Sequence, residues 1–209
     1  MIIGVHAKIG HGKDTVGKII QELRPDKKWE IKKWATKLKQ TATLLTGVPV
    51  EMWEDQDFKK MTMTGDWGMT YREFLQKLGT DAMREGLHKE VWVNALMSDY
   101  VPVVTPDFVY GYGVRFPNWI ITDTRFPNEA DAVGKKGGIC LRVVRPCDEC
   151  GGLYTHKMSC FRHLRHPEML HASETSLDNY SFDYTIENTG DLAELKEKVE
   201  TFLKQFNLW

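Results

Sequence analysis

The sequence has no apolar run long enough to cross a bilayer, which excludes a helical membrane protein. It has no excess of charge of one sign. Lys and Arg number 28 against 29 Asp and Glu, a formal net charge of −1, so a general basic field for nucleic acid is missing. The N-terminus carries no signal-peptide pattern, and the chain reads as soluble and cytoplasmic. There is no internal repeat or low-complexity tract, and no Ser-His-Asp or Cys-His arrangement that the sequence forces. Cysteine is scarce and unevenly placed. Of four, three crowd between positions 147 and 160, which points to a metal rather than to disulfides. The fourth, Cys140, lies in an apolar run and reads as a buried strand thiol.

What is present is an alternation of short apolar runs and helix-period segments over 209 residues, enough for one α/β domain with insertions. Strands are predicted at 2–5, 29–34, 119–123, 139–144 and 184–186. Helices are predicted at 16–23, 35–45, 70–85, 90–97, 128–136 and 191–206. In the 70–85 helix, Phe74, Leu75, Leu78, Ala82 and Met83 fall near one face, Thr70 is the N-cap and Glu73 completes a capping box. Residues 51–63 read as short helices and loop. Three prolines and two glycines break 101–117 into a loop or irregular hairpin. Strands alternating with helices favour a three-layer α/β fold, a parallel sheet flanked by helices. Residues 1–209 would be one domain, with a helical region at about 34–100 and a Cys/His insertion at about 145–171.

The most informative stretch is Ala7-Lys8-Ile9-Gly10-His11-Gly12-Lys13-Asp14-Thr15. A strand, a glycine turn ending in Gly-Lys and then a helix is the context of a phosphate-binding loop. The glycines let backbone N–H groups converge, the helix start adds partial positive charge, and Lys13 would reach the β- and γ-phosphates of a nucleotide. Gly10, His11, Gly12, Lys13, Asp14 and Thr15 are therefore candidate ATP-binding residues. Two departures from the usual pattern matter. Ala7 replaces the first glycine, and Asp14 stands where a Mg²⁺-binding hydroxyl is expected. Asp14 would act through Mg²⁺ or its water shell, with Thr15 as a second oxygen. The plain alternative is a glycine turn capped by Asp14.

Asp123 and Arg125 close the central strand, where ligands bind in open α/β sheets. Arg125 suits a phosphate oxyanion, and Asp123 would hold Mg²⁺ water or orient Arg125; a salt bridge plus a helix cap is the alternative. Trp34, Lys39, Arg72, Gln76 and Arg84 are candidates for an acceptor pocket, although each alone suits a packed or solvated helix position. Trp34, Tyr71 and Trp92 are candidates to stack on a base. Glu174 would contact substrate or simply start a helix behind Ser173. Asn188, after the last strand, would touch an adenine or make a turn. Cys147-x-x-Cys150 and Cys160-x-x-His163, nine residues apart, have the spacing of a structural tetrahedral Zn²⁺ site, with His156 and His166 as alternative fourth ligands.

These motifs occur in an order that resembles the deoxynucleoside monophosphate kinases of bacteriophages. The resemblance rests on Gly-His-Gly-Lys-Asp-Thr, Trp34-Ala35-x-x-Leu38-Lys39, Leu75-Gln76-x-Leu78-Gly79-Thr80-Asp81-x-x-Arg84, Trp92-Val93, Asp123-x-Arg125-Phe126-Pro127-Asn128-Glu129-Ala130 and His171-x-Ser173-Glu174. It implies a P-loop kinase core, an acceptor-binding region and a lid, which the Cys/His insertion would staple with zinc. It implies transfer of the ATP γ-phosphate to a deoxynucleoside 5′-monophosphate (dNMP), with Mg²⁺ as cofactor, in a host cytoplasm. Lys13, Asp14, Asp123, Arg125 and Arg145 would be catalytic. Trp34, Lys39, Arg72, Gln76, Arg84, Arg125, Glu129 and Glu174 would bind the dNMP. The partners would be ATP and dNMP, with a homodimer allowed, and no membrane or nucleic acid. Two competing readings are a P-loop kinase for another acceptor, such as dephospho-coenzyme A, and a zinc-finger DNA-binding protein switched by nucleotide.

Overall fold

The computed structural model describes residues 1–107, 111–146 and 172–209. These form two compact units. One comprises Met1–Lys33 and Val101–Trp209, the other Trp34–Tyr100.

The first unit is built on five parallel strands: β1 (Ile2–His6), β2 (Glu30–Lys32), β5 (Trp119–Ile121), β6 (Ile139–Val144) and β7 (Tyr184–Glu187), in the order β2-β5-β1-β6-β7. β1 is central and wholly buried, as its unbroken apolar sequence requires of a strand covered on both faces. Ile3 and Val5 belong to the core formed with Val16, Ile19 and Ile20 of α1 (Lys13–Leu23) and Leu195, Val199 and Phe202 of α7 (Leu192–Gln205). Gly4 points the other way. A Cβ there would lie 2.9 Å from Val133 of α5 (Pro127–Lys135). Successive strand residues face opposite sides, so α5 covers one face and α1 with α7 the other. The expected three-layer parallel sheet is present. Each fully buried Ile or Leu of that core contributes about 1.5–3 kcal/mol.

Cys140 is buried in β6, and burial pushes its thiol up to about 12, as a structural thiol requires. Residues 101–117 are more regular than expected. β3 (Val103–Asp107) and β4 (Gly111–Arg115) pair antiparallel as a separate two-stranded sheet. Pro106 stands opposite Tyr112, and a two-stranded ribbon tolerates a residue without N–H.

The second unit is helical: α2 (Ala35–Thr46), α3 (Tyr71–Gln76) and α4 (Val91–Met97). Its core joins Ala42, Trp53, Met63, Tyr71 and Phe74. Thr70 and Glu73 form the capping box that the sequence predicts. The helix they start does not stay α. Over Lys77–Glu85 it is π-helical, and the Gly86 N–H reaches back five residues to the Asp81 carbonyl, 3.0 Å away. Tertiary contacts converge on Gly79 in this stretch. Its carbonyl accepts from the Trp92 indole at 2.9 Å, and a Cβ there would sit 2.9 Å from Leu38.

No helix among the described residues is long and apolar enough to cross a membrane. A short α6 (Ala172–Thr175) completes the described elements. The expected Cys/His insertion lies almost wholly outside them.

Candidate active site

At the carboxyl end of β1 the chain turns through Gly10 and Gly12, whose φ angles are 80° and 101°. The His11 N–H closes the turn on the Lys8 carbonyl at 3.1 Å. Gly12 then starts α1 from a left-handed conformation, and no side chain caps the helix. The first-turn N–H groups around Lys13 and Asp14 are thus left for an anion. Gly12 is also sterically required, because a Cβ would meet the Asn188 amide nitrogen at 2.8 Å. That amide donates to the His11 carbonyl at 3.0 Å, and the Arg145 N–H donates to His11 Nδ1 at 3.2 Å. The ends of β6 and β7 therefore hold the turn from behind. Asn188, expected near an adenine, is buried and supports the loop.

Accepting at Nδ1 requires a neutral His11. Burial first, then the Lys8 and His6 charges, lower its pKa to about 4, so it is neutral at pH 7. Lys13 Nζ contacts Asp14 Oδ2 at 2.9 Å. The other Asp14 oxygen accepts from the Thr122 hydroxyl at 2.9 Å. Partial burial raises the Asp14 carboxyl, but the Lys13 hydrogen bond and charge, the Thr122 hydroxyl and the Lys33 charge outweigh it. Its pKa falls below the ordinary aspartate value. Asp14 is thus an ionised carboxylate at neutral pH. Thr122 was not among the expected residues. It follows Ile121, which pairs with Gly4 of β1, and only that register reveals that it reaches the loop. Asp123, one residue on, is half-buried in the turn after β5.

The same turn carries Arg125, whose Nη1 donates to Glu174 Oε1 at 2.6 Å. The other Glu174 oxygen, Oε2, accepts from the Ile9 N–H of the loop at 2.9 Å. Lys8 pairs with Asp178 at 2.9 Å. Glu129 is 2% exposed. Its Oε2 accepts from the Arg125 and Phe126 N–H groups at 2.8 and 3.2 Å, which fixes the backbone that presents Arg125. The structure thus brings Lys13, Asp14, Arg125, Glu174, Asn188 and the Arg145 backbone around one turn. The Lys8–Asp178 pair and the Ile9–Glu174 bond escape sequence reading because their partners are so distant in the chain.

In the helical unit, Lys39 pairs with Glu54 and Arg72 Nη2 donates to the side-chain Oε1 of Gln56 at 3.1 Å. Arg72 and Gln76 are exposed and Arg84 is half-buried. The three rings considered for base stacking are all buried: Trp34 at 2% exposure, Tyr71 at 6% and Trp92 at 5%. Tyr71 packs edge-on against Trp53, with ring centroids 5.7 Å apart. Tyr71 and Trp92 thus belong to the unit's packing. Cys147, Cys150, Cys160 and His163 lie outside the described residues, as do His156, His166 and His171. Among the described residues no cluster of three or more metal-ligand side chains occurs.

A family model described as deoxynucleotide monophosphate kinase matches residues 39–199, well over half of the chain. The match begins past the glycine turn, so loop geometry and family likeness are separate observations. A deoxynucleotide monophosphate kinase of Enterobacteria phage T4 is 27% identical over 133 residues, 64% of this chain and 45% of that protein. Its counterpart in Escherichia phage RB69 is 28% identical over 133 residues, 64% of this chain and 44% of that protein. The aligned region spans less than half the length of either phage protein. Shikimate kinase from Aquifex aeolicus aligns over 100% of this chain and 99% of its own, at 11% identity and a TM-score of 0.48.

Proposed function

The chain belongs to the deoxynucleotide monophosphate kinase family, and from that premise we propose that it transfers the γ-phosphate of ATP to a dNMP, giving dNDP and ADP. The observation that carries this reading is Lys13 at the uncapped start of α1, directly behind the left-handed Gly12 at the end of the central strand. Phosphoryl transfer asks a protein for positioning and charge stabilisation rather than covalent chemistry. The turn's N–H groups and Lys13 hold the donor phosphates, with Gly10, His11 and Thr15 shaping the same cradle. Arg125, fixed through Glu129 and Glu174, anchors the acceptor phosphate through its planar fork. Arg145 neutralises charge on the transferred group. Lys39, Arg72, Gln76 and Arg84 are the helical unit's own candidates for dNMP recognition, and Trp34 precedes the helix that carries Lys39.

Mg²⁺ fits the oxygen donors at the turn. Asp14 offers an ionised carboxylate and Thr15 a hydroxyl, with the Thr122 hydroxyl 2.9 Å from Asp14 and Asp123 one residue further on. Hard cations prefer such oxygen sets. When bound, Mg²⁺ supplies charge neutralisation on the nucleotide phosphates. Structural Zn²⁺ on Cys147, Cys150, Cys160 and His163 rests on ligand spacing alone. Metal analysis of protein purified without chelator is expected to find about one zinc per chain, and a zinc-free active enzyme would end that assignment.

The test of function is ADP formation from ATP and Mg²⁺ with a panel of dNMPs, NMPs and dephospho-coenzyme A. Turnover that requires a dNMP is the expected result. Turnover with dephospho-coenzyme A alone would replace the phosphate acceptor by a hydroxyl.

A further inference from the structure

Glu174 was expected to meet the substrate, yet both of its oxygens are taken by protein donors. Oε2 accepts from the Ile9 N–H of the phosphate turn at 2.9 Å, and Oε1 accepts from Arg125 at 2.6 Å. The side chain is 2% exposed, so water cannot readily replace either partner. Its neighbours hold the segment in place. Asp178 pairs with Lys8 at 2.9 Å, and Arg142 of β6 donates to the carbonyls of Leu177 and Asp178. One buried carboxylate thus joins the donor loop to the arginine assigned to the acceptor phosphate.

From this bridge we infer that Glu174 is a positioning residue that couples donor binding at the turn to acceptor binding at Arg125. The inference rests on the kinase reading above. Donor phosphates that order the turn fix the Ile9 N–H, which fixes the carboxylate, which aims the guanidinium. The coupling is reciprocal, so an acceptor held by Arg125 steadies the turn for the donor by the same factor. A glutamine cannot serve. It has one acceptor oxygen, and its NH₂ would face either the Ile9 N–H or Arg125, both of which are donors.

The test is calorimetric binding of AMP-PNP with Mg²⁺, with and without a dNMP, in wild type, Glu174→Gln and Asp178→Asn. In wild type the dNMP is expected to tighten AMP-PNP binding by about five-fold or more. Glu174→Gln is expected to bring that factor to about one. Asp178→Asn loses the Lys8 pair but keeps the bridge, and is expected to keep the factor. Where Glu174→Gln does not fold, Glu174→Asp carries the same expectation, because it keeps the charge but falls one carbon short of spanning both donors. A purely structural role would weaken both ligands and leave their ratio intact. An unchanged factor in the Glu174 variants, equal loss in Asp178→Asn, or independent binding in wild type would overturn the inference. Wild type that binds no dNMP at all would overturn the kinase reading itself, and the inference with it.

Discussion

In the sheet-bearing unit His6, Glu174 and Asn188 are buried around the turn, and their partners are far away in the chain. His6 reaches Thr124 across 118 positions, Glu174 reaches Ile9 across 165, and Asn188 reaches His11 across 177. In the helical unit Lys39 and Arg72 find partners only 15 and 16 positions away, at the surface, while Trp53, Tyr71 and Trp92 are buried in its packing. The first arrangement is pre-organised, because neither water nor a rotamer change substitutes for the native partner. The second is local and exchangeable. The fixed geometry of the sheet unit suits the phosphoryl chemistry proposed for it, and the movable side chains of the helical unit suit the recognition role proposed for them.

That contrast can be broken in four places. Lys13 has a side chain that is 21% exposed and a contact to Asp14, so Lys13→Ala is expected to cut kcat by about 10³-fold with little change in thermal stability. Near-normal turnover would remove the turn from the mechanism. Trp53 is fully buried, with its indole donating to the Thr43 hydroxyl at 3.1 Å. Trp53→Ala is expected to cost about 3–5 kcal/mol by urea unfolding; a loss below about 1 kcal/mol would mean that the aromatic cluster is not the core of its unit.

His6 sharpens the comparison through pH. Its Nδ1–H donates to the Thr124 carbonyl at 2.9 Å, and burial lowers its pKa from 6.5 to about 4. Between those values the unfolded chain binds more protons than the folded one, so stability rises with pH across that window. The contribution is full above about pH 6.5 and lost as pH falls through about 4, and it amounts to about 3 kcal/mol. His6→Asn is expected to flatten this part of the pH–stability curve, and an equally steep curve in the variant would place the titration elsewhere. The smallest stability effect belongs to Arg72→Ala: within about 0.5 kcal/mol, with KM for dNMP raised about ten-fold. Unchanged KM would leave Arg72 as solvated surface.

How far each region was legible follows the same division. The alternating apolar runs gave β1, β5 and β6 and the helices that cover them, because a strand buried on both faces has no room for polar residues. The Thr70–Glu73 capping box is local chemistry and needs no fold to be seen. The turn was legible because Gly-x-Gly-Lys constrains its own backbone. The π-helical turn at Lys77–Glu85 was not, since its residues have ordinary helical spacing and the contacts at Gly79 come from Leu38 and Trp92. Nor was the Glu174 bridge. The sequence showed a carboxylate worth noticing at a helix start, but only the fold brings it to Ile9 and Arg125.

Where the γ-phosphate goes decides whether the turn delivers it to a nucleotide. Incubating the protein with γ-labelled ATP, Mg²⁺ and each dNMP, and following where the label goes, tests it most directly. Label is expected in the matching dNDP, in an amount equal to the ADP formed. Label released only as inorganic phosphate, or retained in ATP with every acceptor, would contradict it.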